Sequence, residues 1–389
     1  MIMAMKLFDK MTRKDTGPAL HAEPMFYYLN RSVRLECKKI RNLLEQWFKR
    51  FPSGAQADLR GRFRSKDDRS HLGAFFELYL HELLVKSGFS VEIHPSVSGK
   101  ATRPDYRVLK NGEPLFYLEA TLAALSDVET SARARENQVY DVLNRMNSPN
   151  FFIGLRVRGS PNTPPQGAKI RRFLEYRLAR LDPEEIDKQY KEGGFEALPH
   201  WDWEHDGWQI TFFPILKKPE ARGKLGVRPI GFQMQDVCKL TLHVGIRESI
   251  RDKASKYGKL DLPYIVAINA TSKFRADEID IGNALFGVEK VTLVFRGGNL
   301  IKQIPSRKPN GVWYGSNGPQ NRKVSAALIA VNLSPWSIAK VTPILWHNPW
   351  TNSSLDPDTW PLPQLVLDSV NNRLVERNGK KGWQLLKLS

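Results

Sequence analysis

The clearest period in the chain runs from Leu72 to Leu84. Leu72, Phe75, Phe76, Tyr79, Leu80, Leu83 and Leu84 recur at helical spacing on one wide stripe, and Gly88 supplies a stop. Phe89 to Ile93 then alternates as a strand. Tyr106 to Leu109 and Leu115 to Thr121 read as two further strands joined through Asn111-Gly112, a strong hairpin signal. Ser126 starts another helix, with Glu129 completing a capping box, and Val128, Ala132, Val139, Val142 and Met146 make its apolar face. Phe151 to Val157 follows as a strand, which predicts a strand-helix-strand unit with the usual right-handed crossover.

Upstream, Tyr28, Val33, Leu35, Ile40, Leu43, Leu44, Trp47 and Phe48 predict one or two amphipathic helices, closed by Pro52-Ser53-Gly54. Residues 1–22 carry no period and are expected to be a mobile arm. Arg60, Arg62, Arg64 and Lys66 read as a basic connector. Downstream, Lys169 to Leu181 is a basic amphipathic helix, Ile210 to Ile215 a strand, and Ile246 to Tyr257 a helix. Tyr264 to Asn269 is a buried strand by its continuous apolar character. From Val291 onward strands predominate, ending in a Pro- and Trp-rich stretch. These elements predict a mixed α/β fold: a mixed central β-sheet flanked by helices, an N-terminal helical segment and a β-rich C-terminal region. The expected division is 1–65, then a core over 66–295 interrupted by a long insertion at about 160–245, then 296–389.

Charge changes the picture more than composition does. With 59 Lys and Arg against 41 Asp and Glu, the 389-residue chain carries a formal charge of +18. A field of that sign gathers polyanions, nucleic acid first among them. Cys37 and Cys238 provide neither a disulfide framework nor a zinc spacing. The best apolar run, Val324 to Leu333, is too short for a membrane span. The N-terminus lacks the apolar core of a signal peptide, so the expected location is cytoplasmic and away from membranes. Gly297-Gly298 lacks the third glycine and flanking helix of a dinucleotide site. A phosphate-binding Gly-Lys loop, a Gly-x-Ser-x-Gly elbow and a paired-histidine zinc helix are all missing from the sequence.

The chemistry gathers around three acids: Glu77 on the flank of the clearest helix, Asp105 after Pro104, and Glu119 on the second hairpin strand. If the hairpin loop is Asn111-Gly112-Glu113, Asp105 lies directly opposite Glu119 and both project from one face; a two-residue loop would put Pro104 there instead. Thr121 shares the face of Glu119. Arg135 falls in the middle of an apolar helix face and Gln138 at its edge. Three carboxylates from a helix and a hairpin suit Mg²⁺ or Mn²⁺, which prefer oxygen ligands. Glu77 and His81, one turn apart, can alternatively be an ordinary surface pair.

The order Glu77, then Pro104-Asp105, then Glu119-Ala120-Thr121 resembles the PD-(D/E)xK nuclease superfamily, whose fold is restriction-endonuclease-like. The resemblance covers about Leu72 to Val157, with Ile246 to Asn269 as a continuation of the sheet. It implies that Asp105, Glu119 and Glu77 bind Mg²⁺ or Mn²⁺ and that the protein hydrolyses phosphodiester bonds, DNA before RNA, with a role against foreign DNA by analogy. A homodimer is left open. The departure is Thr121 where the superfamily has lysine; Lys100 or Arg135 is expected to restore the cation. Two rival expectations stand beside this one: a degenerate nuclease fold that binds nucleic acid without cutting it, supported by Thr121, and a protein-interaction module.

Overall fold

The computed structural model describes residues 5–97, 102–123, 127–224, 227–235, 242–271, 276–368 and 373–388. The chain divides into two compact units. One comprises Met1–Gly17, Pro24–Ala124 and Thr241–Ser389, the other Pro18–Glu23 and Leu125–Leu240. Elements are numbered along the chain.

The first unit opens with α1 (Met25–Arg31), α2 (Leu35–Arg50), α3 (Ser53–Phe63) and α4 (Asp68–Lys86). The predicted amphipathic run is thus two helices. The expected breaker Pro52-Ser53-Gly54 instead begins α3, because proline is tolerated at a helix start where its missing N–H has no partner to lose. Leu59 and Phe63 bury one side of α3, so the first part of the basic connector is helical, with Arg60 half-buried and donating to the Lys6 carbonyl and Arg62 half-buried and donating to Glu77. Asp67 caps α4 by accepting from the amides of Arg69 and Ser70. Gly88 ends the run at φ 91°, where a Cβ would be strained. Residues 5–17 are not a loose arm. Leu7 and Phe8 are buried, the Phe8 amide donates to Glu45 at 2.8 Å, and the Phe8 ring stacks on Phe26. His81, expected on the surface, is buried with its ring against Phe51. After α4 come β1 (Ser90–Ile93), β2 (Tyr106–Lys110) and β3 (Glu113–Ala123).

The second unit contains α5 (Asp127–Leu143), β4 (Phe151–Gly159), α6 (Gly167–Leu178), α7 (Pro183–Gly193), β5 (Trp201–His205), β6 (Trp208–Leu216) and β7 (Ile230–Gln235). Its strands form their own sheet in the order β5-β6-β4-β7. Val139, Ile153, Leu155, Leu174 and the fully buried Trp208 belong to its core. The predicted strand-helix-strand link from β3 through α5 to β4 therefore does not stay within one sheet, and the insertion begins before α5 rather than near residue 160. Pro18–Glu23 joins this unit through the amides of His21 and Ala22, which donate to the Asp141 carboxylate at 2.7 and 2.9 Å.

The chain then returns to the first unit with α8 (Leu242–Lys256), β8 (Tyr264–Ala270), α9 (Glu278–Phe286), the hairpin β9 (Glu289–Arg296) and β10 (Asn299–Arg307), the two-residue strands β11 (Tyr314–Gly315) and β12 (Gly318–Pro319), β13 (Ala326–Val331), β14 (Ile344–His347), β15 (Gln364–Asp368), β16 (Arg373–Arg377) and α10 (Gly382–Leu385). The main sheet is mixed, eight strands in the order β1-β2-β3-β8-β13-β14-β15-β16. β8 runs parallel to both β3 and β13 and is buried at every position, which explains its unbroken apolar sequence. Strands β13 to β16 thus complete the core sheet, while β9 with β10 and β11 with β12 pair outside it. Side chains alternate along β3. Tyr117 and Ala123 pack with α8 and α9, while Leu118 lies opposite Tyr106, whose hydroxyl donates to the Glu77 carbonyl of α4 at 2.9 Å. The sheet is covered by α8 and α9 on one face and by α4 on the other. Among the described residues, no helix is long and apolar enough to cross a membrane.

Candidate functional site

The hairpin fixes Asp105. Asn111 and Gly112 have φ of 53° and 86°, the pair of left-handed residues that a tight two-residue turn demands. Lys110 pairs with Glu113 and Leu109 with Pro114, but Val108 pairs with Phe116, so Leu115 is an extra residue on β3. This bulge shifts the register by one. Tyr106 then faces Leu118, and the next step sets Asp105 beside Glu119. The loop has two residues, yet the acids stand where a three-residue loop would have placed them. Asp105 Oδ2 accepts from the Ala120 amide at 2.7 Å, and its carbonyl accepts from the His94 amide at 3.0 Å.

Glu119 is the most confined of the three acids, with its side chain 1% exposed. Burying a lone carboxylate is costly, and here it is compensated. Lys253 Nζ and Lys256 Nζ donate to Oε1 at 2.8 and 2.7 Å, and the Tyr257 hydroxyl lies 2.5 Å from Oε2. The same hydroxyl is 2.9 Å from the Arg103 carbonyl. All three partners come from α8 and the residue following it, with Lys256 and Tyr257 three and four residues on from Lys253, spacings that bring side chains to one helix face. Burial pushes Glu119 upward, but Lys253, Lys256 and Tyr257 outweigh it and hold the carboxyl below its ordinary value. Asp105 goes the other way. Partial burial, then repulsion from Glu119 and Glu77, push it up to about 7 against the pull of the Ala120 amide and Lys253. One acid of the pair is held ionised and the other is poised near neutrality.

Glu77 approaches Asp105 from the opposite face of the sheet, on α4. Its two oxygens are taken by Arg62 of α3 at 2.6 and 2.7 Å, and Arg62 also holds Asp58. Burial lowers the Arg62 pKa less than the hydrogen bond to Glu77 raises it, and the net direction is upward. Asp105, Glu77, Arg62, Asp58, His94 and Tyr106 border a small cleft with about 10 Å³ of room for a water-sized guest. That is about the minimum for one water, and far too little for an organic ligand. Among the described residues, no group of three His, Cys, Asp or Glu side chains is arranged to hold an ion. Asp105 therefore links two half-sites, because α4 and α8 lie on different faces of the sheet.

Thr121, on β3, shares the α8 face with Glu119. Lys100 lies outside the described residues. Arg135 and Gln138 belong to α5 of the second unit, where Arg135 Nε donates to the Pro161 carbonyl at 2.8 Å and Gln138 is exposed. The described cations in contact with the acids are Lys253 and Lys256 at Glu119 and Arg62 at Glu77. The sequence signal for the first two was Lys253-x-x-Lys256-Tyr257 at the end of a helix that leads straight into a buried strand. Lysines in a helix's last turn normally read as surface residues.

No family model matches the chain, and neither the curated proteins nor the solved structures contain a match. The site has to be argued on its own chemistry. The groups that could reach an ion at Asp105 are carboxylate oxygens, of Asp105 and of Glu119, whose Oε1 already accepts from Lys253 and Lys256. Mg²⁺ is commonly held by only one or two carboxylates, with water and substrate phosphate completing its shell.

Proposed function

We propose that this protein is a divalent-metal-dependent nuclease of the restriction-endonuclease-like kind, acting on the phosphodiester bonds of DNA in preference to RNA. The observation that carries the reading is Glu119, buried in the middle of a mixed sheet, clamped by Lys253, Lys256 and Tyr257 and standing beside an Asp105 raised towards neutrality. Asp105 and Glu119 would hold Mg²⁺ or Mn²⁺, with Glu77 supporting Asp105 from the other face. The ion, when bound, supplies polarisation of a phosphoryl oxygen and a more acidic water. The chain's own residues supply the rest. Lys253 and Lys256 keep Glu119 ionised and bring to it the ammonium that Thr121 cannot provide; either can hold or pass a proton at Nζ. Tyr257 fixes the orientation of the carboxylate through Oε2. The surplus of Lys and Arg supports affinity for a phosphate backbone.

A second reading is a nucleic-acid binder of the same fold without cleavage. It is favoured by Arg62 already closing both oxygens of Glu77, and by Lys253, Lys256 and the Tyr257 hydroxyl closing both oxygens of Glu119, with Thr121 in place of the superfamily's lysine. Cleavage of duplex and single-stranded DNA and of RNA with Mg²⁺ or Mn²⁺ separates the two. The nuclease reading expects cutting that Asp105→Asn abolishes and that the double variant Lys253→Met/Lys256→Met lowers by about a hundredfold or more. Absence of cutting on every substrate, with binding indifferent to divalent ions, would leave the binder.

A further inference from the structure

The hairpin of β9 and β10 pairs with no other described strand, and every residue of β9 is exposed. Its base is firm. The Lys308 amide donates to the Val288 carbonyl at 2.8 Å, the Val288 amide to Asn310 Oδ1 at 3.0 Å, and Arg307 to the Gly287 carbonyl at 2.9 Å. Gly287 itself sits at φ 101°, where an added Cβ would meet the Lys308 carbonyl. Its tip is a two-residue turn, Gly297-Gly298, with φ of 58° and 83°. Strands of eight and nine residues reach about 27 Å from base to tip. Such a ribbon exposes Val291, Leu293, Phe295 and Leu300 along one face. The other carries Lys290, Thr292, Arg296, Asn299 and Lys302 around Val294 and Ile304. Over residues 289–307 there are four Lys and Arg against a single Glu.

A two-stranded ribbon lined with cations has a natural counterpart. The major groove of B-form DNA is about 12 Å wide and admits a two-stranded β-ribbon, whereas the major groove of an A-form RNA duplex is too deep and narrow for side chains to read. We propose that the β9–β10 hairpin is a DNA-binding arm that lies in the major groove of duplex DNA, with Lys290, Arg296 and Lys302 on the phosphates. This rests on the nucleic-acid part of the proposed function and adds the substrate form: duplex DNA over duplex RNA. The rival occupant of so apolar a ribbon is a second copy of this chain, which would set two arms of like charge side by side.

The test is equilibrium binding of the full chain to fluorescent duplex DNA and to duplex RNA of the same sequence, across a salt series without divalent ions. It compares wild type, Lys290→Gln/Arg296→Gln/Lys302→Gln, and a control of equal charge loss, Lys38→Gln/Lys39→Gln/Lys49→Gln, on exposed positions of α2. All six positions are exposed, and thermal melts check that each variant folds. The arm variant should lose about tenfold or more in DNA affinity, its log–log salt slope should flatten by about 2.7, and the control should change little. Equal losses in both variants, an unchanged arm variant, or equal affinity for RNA overturns the arm. So does a dimer that Leu293→Ser/Phe295→Ser dissociates while DNA binding by the arm variant is untouched. Wild type that binds through the arm but never cuts keeps the arm and removes the nuclease; cutting with an indifferent arm does the reverse. No binding by wild type removes both.

Discussion

Replacing Asp105 with asparagine should stabilise the protein, and only above a particular pH. Asparagine keeps the shape and the acceptor for the Ala120 amide while removing the charge that partial burial, Glu119 and Glu77 oppose. The folded-state pKa is raised from an ordinary 3.8 to about 7, so between those values the folded chain holds a proton that the unfolded chain has released. Stability contributed by that proton is fully present below about pH 4, falls as pH rises, and is gone above about pH 7. The whole shift corresponds to roughly 4 kcal/mol, and the partial exposure of Asp105 at the cleft brings the expectation to about 2 kcal/mol. At about 2–4 °C per kcal/mol, Asp105→Asn should melt about 4–8 °C above wild type at pH 8 and level with it at pH 4. Thermal melts of both proteins across that range, without divalent ions, measure the difference directly. Adding Mg²⁺ or Mn²⁺ at pH 8 should then raise wild type and leave the asparagine variant where it was, since only the carboxylate gains from the ion. A constant difference at every pH would refute the reasoning, because it would mean that Asp105 titrates as an ordinary exposed acid.

Two further outcomes follow from the geometry. Under the proposed nuclease reading, Thr121→Lys should add nothing to the wild-type rate, where two ammoniums already reach Glu119, but should restore part of the rate lost in Lys253→Met/Lys256→Met; a failure to restore any would show that the helix lysines do more than supply charge. Trp360→Ala should cost about 3–5 kcal/mol in denaturant unfolding, since this fully buried ring stacks on Phe116 and donates to Ser87 across the sheet; a loss under about 1 kcal/mol would refute that role.

The parts of the fold that the sequence disclosed are those with strong local period: α4, the β2–β3 hairpin, α8 and the apolar strand β8. The parts it hid depend on partners distant in the chain. Helix α3 has only Leu59 and Phe63 fully buried, too few to outweigh the look of its arginines as a connector. The bulge at Leu115 leaves no mark in composition, yet it decides the register at Asp105. Val324 to Leu333 was legible as strand, but its parallel place beside β8 was not, because α9 and the β9–β10 arm intervene. The three acids were expected to meet at one point, whereas the structure sets Asp105 between Glu119 and Glu77 with no three-carboxylate group among the described residues. That they approach it from opposite faces could not be read, since helical and strand periods give the face of each element without saying which face another helix covers. A cation was expected from Lys100, which lies outside the described residues, or from Arg135; Lys253 and Lys256, distant in sequence, were not singled out, yet both contact Glu119.

The carboxylate of Glu119 and the ammonium of Lys253 are separated by 134 residues, with the Leu125–Leu240 part of the second unit between them. During synthesis, at about 5–20 residues per second, Glu119 leaves the ribosome on the order of ten seconds before its counter-charges exist. The parallel pairing of β3 with β8, which requires closing that same long loop, has to wait as well. A nascent chain of this protein therefore carries its acids unassembled until the inserted unit has been made. The order of segments along the gene is in effect a timer that keeps the site from forming before most of the protein is present.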